Sequence, residues 1–169
     1  MTFDAILVVD EQDRPMGMVS KREVWQRGML HRIVRIMVEN EQGTRVLLQK
    51  RSHAMELFPD CWDHTGGGHV ESGETYEQAA YRELQEETGI SGVRLEEIAH
   101  YRTHDTFHDR ILNRFNTLYR ARIPLQPIIA HNQEVNQVHW FTIEEAKRLV
   151  RDHPDQVTDG LTQVLRDYY

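Results

Sequence analysis

A chain of 169 residues is long enough to bury one substantial hydrophobic core, and no second globular domain is expected. Its formal charge of -7, from 27 acidic and 20 basic residues, argues against a partner for nucleic-acid polymers or anionic membranes, which would call for a basic surface. A single cysteine, Cys61, rules out an internal disulfide framework, and the lack of a long apolar run or signal-peptide pattern points to the cytoplasm.

Residues 3–9 read as a buried strand, 10–15 as a polar turn and 16–19 as the return strand of a hairpin. Ser20 with Glu23 matches a capping box for a short helix through Trp25 that ends near Gly28, with Lys21 and Arg22 expected in solvent. Residues 1–30 are thus an N-terminal hairpin and helix ahead of a core over 31–169, all within one domain.

Residues 31–39 read as a strand in which Ile33, Val34, Ile36, Met37 and Val38 are too apolar for strict alternation, which places it centrally in a sheet. A turn over 40–44 leads into a partner strand over 45–51 that presents Lys50 and Arg51 at its end. These two cations suit substrate phosphate oxygens, the alternative being a polar strand end. Phe58 and Trp62 are expected to pack the next segment, Gly66-Gly67-Gly68, read as a loop in which glycine supplies backbone freedom.

A helix follows over about 75–88. Thr75 with Gln78 resembles a capping box, Ala79, Ala80 and Leu84 are good helix formers, and Gly89 suits the left-handed C-terminal position. Glu83, Glu86 and Glu87 stand at i, i+3 and i+4 and share an arc of about 100°. Such a run is ordinarily a solvated face. Here Tyr76, Ala79 and Ala80 fall on the same arc, so the carboxylates border the side that packs inward. Their mutual repulsion would be offset by a hard divalent cation, and oxygen-only ligands suit Mg²⁺ or Mn²⁺ held between carboxylates and phosphates. Arg82 either orients a carboxylate or makes a plain surface ion pair.

Residues 93–101 and 111–123 read as strands separated by a loop over 102–110. His100, His104 and His108 recur every four residues, a metal-ligand spacing on a helix, but strand and loop surroundings give them a non-ligand role. Glu134 stands at the entrance of a strand over 135–141, from where it could reach a site elsewhere. Thr142 with Glu145 opens a helix through about Arg151, and Val157, Leu161, Val164, Leu165 and Tyr168 mark an amphipathic last helix.

The pattern Gly68-x5-Glu74-x7-Arg82-Glu83-Leu84-x-Glu86-Glu87-x-Gly89-Ile90 matches the Nudix box at every defined position. Over roughly residues 31–141 the chain resembles a Nudix domain, which implies an α+β fold, an α/β/α sandwich around a mixed sheet. The resemblance also implies hydrolysis of a diphosphate, with water attacking phosphorus while Mg²⁺, or Mn²⁺, holds the substrate. It makes Glu83, Glu86 and Glu87 metal ligands, one of them helping to deprotonate the water, and makes Arg82 their orienting residue. The carbonyl of Gly67 and the carboxylate of Glu134 complete the implied metal set, and Glu74 is structural. The absence of a serine or cysteine nucleophile constellation agrees with chemistry that rests on positioning and charge.

Val8-Val9-Asp10-Glu11, Leu30-His31-Arg32 and the stretch from Trp62 to Gly68-His69 look like the isopentenyl-diphosphate isomerase branch of that superfamily. Isomerising members place a catalytic cysteine directly before the Gly-His pair, where this chain has Gly67; Cys61 lies six positions away. His31 and His69 match that branch's histidine metal site, but Val24 replaces its third histidine, and the box that isomerases have degraded is intact. The expected function is hydrolysis of a nucleoside diphosphate derivative or related small diphosphate, compatible with a homodimer. The alternatives are isomerisation of isopentenyl diphosphate and non-catalytic ligand binding.

Overall fold

The computed structural model describes residues 4–130 and 132–169, and β3 (His31–Asn40) is its axis. Along one edge β3 pairs in parallel with β8 (Arg110–Ile123) from His31 to Asn40. The other edge is shared antiparallel by β1 (Ala5–Val9) at His31, β6 (Gly66–His69) at Ile33 to Ile36, and β4 (Arg45–Arg51) at Val38 and Glu39. The sheet is therefore mixed, as expected.

β1 pairs with β2 (Pro15–Ser20), the hairpin expected at the start; the Phe3 end of the predicted strand lies outside the described residues. α1 (Lys21–Arg27) begins where the Ser20 hydroxyl accepts from the Glu23 N–H and ends at Gly28, whose φ of 62° is left-handed.

β3 and β4 pair only near their turn and then diverge, and the chain from Trp62 to His69 fills the fork. It runs first as β5 (Trp62–Asp63) on β4 and then as β6 on β3. Thr65 sits at the apex, fully buried, its Oγ1 accepting from the Val38 N–H (2.8 Å) while donating to the Leu47 carbonyl. The far edge of β4 carries β9 (Val135–Thr142), antiparallel along its whole length.

α2 (Tyr76–Thr88) has both arms of the Thr75 and Gln78 capping box and closes at Gly89 with φ 71°. Its buried Ala79, Ala80 and Leu84 pack on Val34, Ile36, Val38 and Leu47. α3 (Ile143–Asp152), a 3₁₀ turn (Pro154–Gln156) and α4 (Asp159–Tyr168) cover the other face, where Ala146, Leu161, Val164 and Leu165 meet Met37, Val46 and Leu48. Helices on both faces explain why β3 lacks hydrophobic alternation. No helix among the described residues is long and apolar enough to cross a membrane.

Three expected boundaries need correction. β7 (Glu96–Phe107) runs through most of the segment read as a loop and joins β8 by a tight turn at His108, φ 53°. Among the described residues β7 pairs only with β8, so this edge strand exposes polar residues that imitate a loop in sequence. Conversely Val93 and Leu95, read as strand, pack against the α2 core ahead of β7. Val157, read as part of the last helix, precedes α4 and bridges to Trp62.

Candidate active site

Gly66, Gly67 and Gly68 form strand β6 and none has a positive φ, so the expected loop is corrected. The need for glycine is steric. A Cβ on Gly68 would lie 2.2 Å from Glu83 Oε1, one on Gly67 2.7 Å from the Val34 carbonyl oxygen, and one on Gly66 3.0 Å from Glu87 Oε2. The glycines let α2 bring its carboxylates down onto the strand.

Glu87 is 3 % exposed, and its Oε2 accepts from the Gly67 N–H and from Gln49 Nε2, each at 3.0 Å. Burial, reinforced by the charge of Glu83, raises its pKa well above the usual carboxylate range. Burial likewise pushes Glu83 up to about 7 against the opposing pull of Arg82, with the charges of Glu86 and Glu134 adding to the rise. Glu86, one turn from Glu83, is the exposed member of the three.

Arg82 is more than a surface ion pair. Its Nε and Nη2 hold the two oxygens of Glu74 at 2.7 and 2.9 Å, Nη2 also reaches the His69 carbonyl at 3.0 Å, and Nη1 lies 2.7 Å from Glu83 and 3.4 Å from Glu86. One planar guanidinium thus ties α2 to β6 and sets the rotamer of Glu83. The hydrogen bond from Arg82 is the main reason the Glu74 pKa lies below normal.

Glu87, Gly67 and Glu134 line one cavity of about 190 Å³. Glu134 is placed there by its backbone, since the Ser52 N–H after β4 donates to its carbonyl (2.7 Å) and its own N–H donates to Asn132 Oδ1 (2.9 Å). Among the described residues no three acidic, histidine or cysteine side chains already stand in ligating geometry, because Glu83 and Glu86 turn to Arg82. The donors are nevertheless all oxygen, and the raised proton affinities of Glu83 and Glu87 reflect burial first and the charge of neighbouring carboxylates second, with Arg82 opposing the rise at Glu83. That chemistry fits Mg²⁺ or Mn²⁺.

The paired cations at the end of β4 separate. Arg51 lines the cavity, anchored to Asp63 Oδ2 (3.1 Å) and the Leu57 carbonyl (2.9 Å), whereas Lys50 is not among its lining residues. Lys21, expected in solvent, lines the cavity beside Trp25, its Nζ 4.9 Å from the indole centroid. Arg35 and Arg114 also face the cavity and were not singled out in the sequence; a charged residue within the apolar run of β3 was the available signal.

His31 and His69 line the same cavity with ring centroids 5.4 Å apart. Burial lowers the His31 pKa to about 4 and holds His69 well below normal. None of His100, His104 and His108 lines the cavity; His100 hydrogen-bonds Thr117 at 2.8 Å and stacks on Phe115. Cys61 is buried outside it.

A model of the NUDIX domain family matches residues 29–160. The chain is 33 % identical over 167 residues to an uncharacterized Nudix hydrolase of Pseudomonas aeruginosa, covering 98 % of this chain and 94 % of that one. It is 32 % identical over 165 residues to isopentenyl-diphosphate Delta-isomerase 2 of Photorhabdus laumondii, covering 96 % and 92 %. A crystal structure of a Deinococcus radiodurans protein superposes with a TM-score of 0.79 at 25 % identity, covering 98 % of this chain and 99 % of that one.

Proposed function

The chain belongs to the NUDIX domain family, with an α+β Nudix fold and relatives in its isomerase-like branch, and from that premise we propose that it hydrolyses a diphosphate linkage in a small molecule with Mg²⁺ or Mn²⁺. The supporting observation is the approach of Glu87, Gly67 and Glu134 to one cavity, with Glu83 held beside them by Arg82. Glu83, Glu86, Glu87, the Gly67 carbonyl and Glu134 would hold the ion, which supplies positive charge against the diphosphate oxygens. Arg51 offers guanidinium donors to a phosphate from the cavity wall. One carboxylate of the cluster takes the proton from the attacking water, and Arg82 keeps Glu83 in position throughout.

A second reading, isomerisation of isopentenyl diphosphate, draws on the neighbouring His31 and His69 rings and on the isomerase relative. Against it, Gly67 brings no thiol, and a Cβ there would meet the Val34 carbonyl.

The test is metal-dependent phosphate release from nucleotide sugars, dinucleotides, dinucleoside polyphosphates and oxidised nucleotides, comparing the native chain with Glu87→Gln. The proposal expects turnover that the variant loses. Unchanged turnover in Glu87→Gln overturns the site assignment, and an allylic product from isopentenyl diphosphate would favour the second reading.

A further inference from the structure

Four cations, Lys21, Arg35, Arg51 and Arg114, line the cavity; Lys21 pairs with Asp4 and Arg51 with Asp63, which leaves Arg35 and Arg114 as the pair with unfilled donors. Arg35, 7 % exposed, donates from Nε to the neutral Asn116 amide at 3.0 Å and has Nη1 3.4 Å from His64 Nδ1. Among the described residues no carboxylate closes on its guanidinium to ion-pair distance. Asp63, the acid on the nearby wall, is already held by Arg51, His64 and the Thr158 hydroxyl.

Arg114, 9 % exposed, has one ion pair, Nη2 to Asp105 Oδ2 at 3.2 Å, while its buried Nε has no hydrogen-bond partner. The indole N–H of Trp25 and Nε2 of His31, on the same cavity wall, are likewise buried without partners. A buried guanidinium with an unfilled donor is costly unless a ligand completes it. Burial and the neighbouring charge of Arg35 lower the Arg114 pKa to about 10 against the opposing pull of Asp105 and Asp63.

Resting on the diphosphate reading above, we infer that Arg35 and Arg114 form a subsite for a second oxyanion, a carboxylate or phosphate carried on the organic part of the substrate. Planar guanidinium donors match such a group. Ile33, Leu57 and Leu112 give the organic part an apolar wall.

The experiment uses the full chain without metal, in chelator, titrated with inorganic phosphate and separately with malonate. NMR of the arginine Nε–H groups follows the Arg114 resonance, assigned by its loss in Arg114→Lys. Phosphate or malonate should shift that resonance, the stronger of the two identifying the source of the oxyanion. Affinity should weaken about tenfold in Arg114→Gln and in Arg35→Gln, as expected for losing a charge-assisted hydrogen bond, and should persist in Glu87→Gln. No shift with either probe, or equal affinity in the folded arginine variants, overturns the subsite. If Arg114→Gln does not fold, the native titration and Arg35→Gln decide. Retained binding alongside an absence of metal-dependent turnover in the native chain would instead reject the hydrolase reading and leave the subsite standing.

Discussion

The Gly67 amide nitrogen lies 3.0 Å from Glu87 Oε2, so the most buried acid of α2 is held by the backbone of the strand beneath it. Helix and strand are thereby in register to within one hydrogen bond, and changes at their contact should be read out in both stability and turnover.

Gly68→Ala tests this contact. The added methyl would sit 2.2 Å from Glu83 Oε1, so α2 or Glu83 must move. The expected loss is about 1–3 kcal/mol in urea unfolding. Displacing a site carboxylate should also lower metal-dependent turnover, by about 100-fold for a shift of an ångström. A variant with native turnover would show that the strand does not position Glu83.

Arg82→Lys removes the planar fork that joins Glu74, Glu83 and the His69 carbonyl. An ammonium cannot make these bonds together, so stability should drop by about 1–3 kcal/mol and turnover should fall. In a double-mutant cycle with Glu74→Gln the two losses should be less than additive, by about 0.5–3 kcal/mol. Simple additivity would argue that the Arg82 and Glu74 pair is incidental.

Thr65→Val is close to isosteric yet leaves the Val38 N–H and the Leu47 carbonyl without their partner at the fork of β3 and β4. Each buried group left unsatisfied costs about 1–3 kcal/mol, so the urea midpoint should fall markedly. Thr65→Ser, which keeps the hydroxyl, should be the milder change. If the two variants unfold alike, the hydroxyl is not what closes the fork.

Buried histidine makes stability depend on pH. His31 has a folded pKa lowered from 6.5 to about 4, so the unfolded chain takes up the proton first. Its contribution is whole above pH 6.5, declines as the pH falls towards 4 and then levels off, a loss of about 3 kcal/mol in all. His69, lowered by burial too, adds in the same direction. His31→Asn should show a shallower decline in unfolding free energy between pH 6.5 and 4 than the native chain. Identical slopes would mean that His31 is not buried neutral.

Removing divalent metal with a chelator should abolish turnover and leave the far-ultraviolet dichroism unchanged, since the sheet and helices are joined through protein contacts. Glu134→Gln should raise the half-saturating Mg²⁺ concentration about tenfold, equivalent to about 1.4 kcal/mol. An unchanged Mg²⁺ requirement would remove Glu134 from the metal set.

The parts legible in the sequence are those whose causes are local. α2 announces itself through Thr75, Gln78 and Gly89, all within or beside the helix, and its carboxylates follow from helical spacing. Arg35 was missed because its meaning depends on Asn116 and His64, which folding brings to it from distant positions. The glycines were misread for the same reason: what they avoid are Glu83, Glu87 and Val34, which no nearby residue reveals. β7 failed differently, as an edge strand with polar side chains on its open face.

The tight contact at Gly67 bears on what this position can accept. A Cβ at that position would press to 2.7 Å from the Val34 carbonyl oxygen. Exchanging Gly67 for any residue with a side chain therefore asks for more than one substitution in this chain: β3 and β6 must also move apart.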